Sequence, residues 1–169
     1  LERVDSMAWA GDSRTLFYTQ QNAAKRPDRL LRHRLGQERD ALVWEEKDEL
    51  FNLGVGTTRS GEWVVATSAS KDTSEVRVVP AVQPLAPARV VARRRTGHEY
   101  YVDHHGREFW IRTNDKGKNF RLVRAPLADP APRNWKQVLP HRKGVMLEDV
   151  DRIEVIRGPG GSLWGANAV

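Results

Sequence analysis

The sequence has no cysteine, which excludes disulfides, thiolate nucleophiles and thiolate-bound metals. It has no apolar run near the ~18 residues a membrane-crossing helix needs. It opens on Leu1 with no charged-then-apolar leader, so no signal peptide is visible. Helical patterning is also scarce: before Leu147 no segment carries an apolar stripe of useful length at helical spacing. What is there has a globular balance, 39% hydrophobic and 30% charged, with 6 Trp, 4 Phe and 3 Tyr to build a core. The net charge is +6, and arginine supplies 21 of the 28 cations. These cations are spread along the chain, with Arg93-Arg94-Arg95 the one tight run. That distribution reads as a solvated basic surface that steers acidic partners, and no nucleic-acid partner is expected.

Short apolar and β-branched runs recur between Gly, Asp, Asn and Pro. Strands are expected at Thr15–Gln21, Arg29–Leu35, Ala41–Glu46, Leu53–Thr58, Trp63–Ser68, Glu75–Val79, Arg89–Ala92, Tyr100–His104, Glu108–Thr113, Phe120–Ala125 and Trp135–Leu139. Pro84, Pro87, Pro126, Pro130, Pro132 and Pro140 are assigned to loops, because proline cannot donate to a strand ladder. The runs repeat. Gly11–Thr19, Ser60–Thr67 and His105–Thr113 each read as a polar turn and then an apolar strand closing on Thr. Thr19, Thr67 and Thr113 are spaced by 48 and 46 residues. An inner strand is expected near Met7–Ala10, Leu53–Thr58 and Tyr100–His104. Four strands every ~40–50 residues is the period of propeller blades. The fold class is therefore all-β: about three four-stranded antiparallel blades of an incomplete β-propeller, ending in a short strand-turn-helix tail. Three blades leave an open arc with two exposed faces, a route to self-association.

The residues that build this pattern resemble a known family. Trp9-Ala10-Gly11-Asp12-Ser13, Leu16-Phe17-Tyr18-Thr19, Val43-Trp44-Glu45-Glu46, Gly97-His98-Glu99-Tyr100-Tyr101-Val102-Asp103-His104 and Phe109-Trp110-Ile111-Arg112-Thr113-Asn114 carry the likeness. From about residue 6 to 148 the chain resembles the propeller of the prolyl oligopeptidase family, nearest to its oligopeptidase B branch. The resemblance implies a seven-bladed propeller over an α/β-hydrolase domain, limiting access to short peptides. It also implies cleavage after Lys or Arg by a catalytic Ser, Asp and His that all belong to the hydrolase domain. No catalytic, cofactor-binding or metal-binding residue is thus assigned to this chain, which is expected to be inactive alone. Its implied partners are a peptide substrate and a hydrolase domain, in the bacterial cytoplasm or periplasm.

From Asp149 to Val169 the sequence reads differently. Arg152-Ile153-Glu154-Val155-Ile156-Arg157-Gly158-Pro159 and Gly165-Ala166-Asn167-Ala168-Val169 resemble the plug domain of TonB-dependent outer-membrane receptors. Two segments are therefore expected, 1–148 and 149–169, joined near Leu147–Asp151 as a chimera. An outer-membrane location follows only from the plug-like tail.

Other chemistry is weaker. Ser162 has Gly160 two residues before it, as in a nucleophile elbow, but Trp164 stands where a small residue belongs. His104 and His105 are adjacent, so on a strand they face opposite ways and cannot readily share a metal. His33, His98 and His141 are scattered and read as structural or solvated. Asp12, Glu45, Glu46, Asp48 and Glu49 read as solvated or turn-capping acids. Gly158–Gly165 lacks the Lys-Ser/Thr ending of a phosphate loop.

Overall fold

The computed structural model describes residues 3–150. Its strands are β1 (Val4–Trp9), β2 (Thr15–Gln21), β3 (Pro27–Arg34), β4 (Ala41–Glu45), β5 (Asn52–Thr57), β6 (Trp63–Ala69), β7 (Ser74–Pro80), β8 (Arg89–Ala92), β9 (Tyr100–His105), β10 (Glu108–Thr113), β11 (Arg121–Pro126) and β12 (Lys136–Leu139). A 3-10 turn at Pro132–Asn134 precedes β12. The strands form three four-stranded sheets, β1-β2-β3-β4, β5-β6-β7-β8 and β9-β10-β11-β12. Every neighbouring pair is antiparallel. Each sheet is a simple up-and-down blade, and we call them the first, second and third blades. The all-β reading holds, and so does the count of three. Pro126 departs from its loop assignment: it ends β11 opposite Glu108.

The hairpin opening each blade turns on one residue with left-handed backbone: Ser13 at φ 52°, Gly61 at φ 71° and Gly106 at φ 65°. Two of the three are glycine, the residue that adopts this region without a Cβ clash. At the other side of each blade the outer strand carries a bulge. The ladder skips Val43, Val91 and Val138, which are 48 and 47 residues apart. The repeat is thus written in ladder register as well as in sequence pattern.

That register corrects one equivalence. Thr19 pairs with Leu30 and Thr67 with Val76, in each case the last pair before the bulge. The corresponding pair in the third blade is Arg112 with Leu122. Arg112, not Thr113, therefore occupies the Thr19 and Thr67 position. Side chains alternate between sheet faces, so a one-residue slip reverses the face. Thr113 sits on the inward side, fully buried against His98.

Blades pack face to face through two apolar clusters. Between the first and second lie Ala8, Phe17, Leu30 and Trp44 against Leu53, Val55, Val64 and Ala66. Between the second and third lie Val76, Val78 and Val91 against Tyr100, Phe109, Ile111 and Val123. β6 serves both junctions, because Val64 and Ala66 point one way and Trp63 and Val65 the other. The middle strand of a blade is consequently apolar on consecutive residues, which hides any strict alternation in its sequence.

Candidate functional site

A concave feature with polar walls lies on the outer face of the third blade. It is a cavity of about 440 Å³ between β9, β10 and the segment Glu148–Val150. Tyr101, Trp110, Arg112 and Leu122 form its floor, and Arg59 reaches in from the second blade. The guanidinium of Arg112 lies 4.2 Å from the Tyr101 ring and 4.4 Å from the Phe120 ring, and donates to the Leu147 carbonyl at 2.9 Å. Arg59 donates to the Val150 carbonyl at 2.7 Å and pairs with Asp103 at 3.5 Å. The buried indole Nε1 of Trp110 has no hydrogen-bond partner among the described residues.

Ladder register identifies this cavity. Trp110 takes the position of Phe17 and Val65, two residues before Arg112, Thr19 and Thr67. Phe17 and Val65 are covered by the following blade. The cavity therefore lies on the face that corresponds to the one covered by the following blade in the first two repeats. Its lining includes Asp103 and Asp149, and Arg59 pairs with both, at 3.5 and 3.8 Å.

The other chemistry-bearing residues are placed individually. His104 is buried, with its ring tilted against Trp63 and edge-on to Phe109, and its Nδ1 lies 2.8 Å from Ser60 Oγ, while His105 is exposed. The two adjacent histidines thus do face opposite ways. His33 Nδ1 lies 2.7 Å from Asp40 Oδ1. Tyr18 also donates to Asp40, and burial together with that carboxylate pushes its phenol up to about 12. His98 is buried beside Thr113, and burial pushes its imidazole down, helped by Arg95. His141 packs on Gly117, where a Cβ would fall 2.4 Å from the ring. Among the described residues no three His, Asp or Glu side chains are grouped to hold a metal.

Asp12 caps the first hairpin: it accepts the amides of Arg14 and Thr15 at 3.0 and 2.9 Å, and the Thr15 hydroxyl at 2.7 Å. Glu45 pairs with Arg29. Glu46 departs from the solvated reading. It is buried and accepts hydrogen bonds from Ser68 Oγ at 2.6 Å, from the Asp48 amide at 3.0 Å and from Arg94. Burial opposes its charge, yet these three donors outweigh burial and hold its carboxyl below the usual range. Nothing in the pattern Trp44-Glu45-Glu46 told the exposed acid from the buried one. Ser162 and the rest of the plug-like run lie outside the described residues.

The all-β blade architecture agrees with comparisons to known proteins. Residues 1–154 match the family described as "Prolyl oligopeptidase, N-terminal beta-propeller domain". The chain belongs to that family. An uncharacterized peptidase of Sinorhizobium fredii is 38% identical over 162 residues, covering 90% of this chain and 23% of the relative. Protease 2 of Moraxella lacunata is 40% identical over 126 residues, covering 73% of this chain and 18% of the relative. Among solved structures, the closed form of oligopeptidase B from Trypanosoma brucei, with covalently bound antipain, superposes with a TM-score of 0.76 at 29% identity. That match covers 85% of this chain and 21% of the trypanosomal one. The propeller domain seen here thus spans about a fifth of the length of the proteins it matches.

Proposed function

We propose that the chain supplies three consecutive blades of the propeller of an oligopeptidase B-like serine peptidase, admitting short peptides to a hydrolase domain that cleaves after Lys or Arg. The observation that carries this is the family match from residue 1 to 154 together with the collinear blade register. The outer face of the first blade supports the same reading. Met7 holds the ladder position of Val55, yet Met7 is 58% exposed and Val55 is 9% exposed. A position buried by a neighbouring blade in one repeat and open in another belongs to a longer ring. Until such a neighbour is supplied, the open faces are surfaces for self-association.

The test is to express the encoded protein to its natural ends and assay chromogenic peptides ending in Arg, Lys or Pro. Saturable cleavage after Arg and Lys, abolished by a serine-directed inhibitor, is the expected result. Cleavage only after Pro, or a reading frame with no hydrolase domain, overturns the proposal.

The run Arg152–Pro159 favours a second reading for the tail alone, a receptor-plug segment joined to the propeller near Leu147–Asp151. The propeller match reaching residue 154 overlaps the first six residues of the plug-like segment 149–169. Sequencing the gene across this stretch tests it. A frame continuing into an outer-membrane barrel supports the fusion and an outer-membrane location. A frame continuing into a hydrolase domain removes it and leaves a cytoplasmic or periplasmic peptidase.

A further inference from the structure

An up-and-down arrangement puts alternate loops at opposite ends of the arc. One end carries residues 22–26, 46–51, 70–73, 93–99, 114–120 and 140–146, and the other carries 10–14, 35–40, 58–62, 81–88, 106–107 and 127–135. Charge divides unequally between them. The first end has 11 Lys and Arg against 6 Asp and Glu, and the second has 5 of each. All of the excess positive charge in the loops is therefore at one end.

The loops of the cationic end form one continuous rim. Arg26 donates to the Glu46 and Phe51 carbonyls, at 3.3 and 2.9 Å. Glu46 pairs with Arg94. Thr73 Oγ1 accepts the Gly97 amide at 3.0 Å, Asn114 donates to the Gly97 carbonyl at 3.1 Å, and Asn119 donates to the Arg142 carbonyl at 2.8 Å. Each loop presents an exposed cation: Lys25, Lys47, Lys71, Arg95, Lys116 and Lys143. Arg93, Lys118 and Arg142 add three more, against three exposed acids, Asp48, Glu49 and Asp72. The internal bonds use Arg26 and Arg94 instead, so the outward-pointing cations are not the ones that hold the loops together.

We infer that this rim is a docking surface for a carboxylate-rich polypeptide. Like-signed charges held on connected loops create a potential that an acidic partner relieves, and the loops are already ordered by their own hydrogen bonds. A polypeptide fits better than nucleic acid. The six loops present no exposed aromatic ring on which bases could stack. Leu50, Val145 and Met146 stand exposed among the cations and offer aliphatic contact to a peptide.

The experiment titrates the 169-residue chain with a fluorescently labelled oligo-glutamate peptide and reads anisotropy. Binding is expected at low salt, weakening by about tenfold as ionic strength rises to ~0.2 M. The variant Lys71→Glu/Arg95→Glu/Lys116→Glu should lose about tenfold or more in affinity. The variant Arg14→Glu/Arg39→Glu/Arg107→Glu makes the same change in net charge at the other end and should bind within about twofold of the parent. Circular dichroism checks that both fold, and a Gln series at the same positions replaces any Glu triple that does not. Equal weakening by the two triples, no binding at low salt, or binding only to a duplex DNA of matched charge overturns the inference.

Discussion

Buried titratable side chains carry the sharpest consequences at the scale of single residues. His98 is 5% exposed, with its ring 5.2 Å from Tyr100 in a stacked arrangement and its Nε2 2.9 Å from Thr113 Oγ1. Burial is the main cause holding its pKa below the usual 6.5, Arg95 adds to it, and Asp115 opposes it. The unfolded chain takes up this proton near pH 6.5, whereas the folded chain takes it up only at lower pH. Across that window the unfolded state binds more protons, so stability falls as pH drops below about 6.5. Urea unfolding midpoints at pH values either side of this window should show the loss. His98→Gln, which keeps a group able to bond Thr113 but does not titrate, should have a visibly flatter midpoint profile there. An unchanged profile would mean that other groups set the acid response.

At the scale of elements, one tyrosine ties two blades together. Tyr100 opens β9 of the third blade, yet its hydroxyl lies inside the second. It accepts the Val76 amide at 2.7 Å and donates to the Ala92 carbonyl at 2.5 Å. Val76 and Ala92 flank the bulge that skips Val91, so the phenol satisfies backbone groups where the β7–β8 ladder breaks. Tyr100→Phe keeps the ring and strands those buried groups, at about 1–3 kcal/mol each. We expect a total loss of about 2–6 kcal/mol in urea unfolding. A loss under ~0.5 kcal/mol would show that the ring alone makes this contact. The blade repeat was legible in the sequence because turn residues and apolar strands recur at nearly constant spacing. The phenol's partner was not, since Tyr100 and Val76 meet only through the packing of separate blades. The misplacement of Thr113 has a similar cause. Spacing locates a strand, but the face of each residue depends on the ladder, and consecutive apolar residues in β10 left its register open.

At the scale of the whole molecule, the first blade's outer face holds the same ladder positions as a buried junction and yet lies open. Trp9 holds the ladder position of His104; Trp9 is 50% exposed and His104 is 3% exposed. Met7 and Leu42, on the same sheet as Trp9, are 58% and 56% exposed. The sequence announced these faces by blade count alone, since three repeats fall short of the ~4–8 that close a ring. Which residues lie on them required the register. Exposed apolar surface of this extent drives association unless it is covered, and the excess positive charge of the loops, gathered at one end of the arc, does not guard the blade faces. The 169-residue chain is therefore expected to show concentration-dependent self-association by sedimentation velocity. Met7→Lys/Trp9→Lys should shift it toward monomer while leaving the β-sheet circular dichroism intact, because both side chains already face solvent. High salt should not dissolve the parent's assemblies, since burial of apolar area rather than ion pairing drives them. If the double variant associates as strongly as the parent, the first blade's outer face is not the contact, and the corresponding surface of the third blade, around Tyr101 and Leu139, becomes the one to substitute.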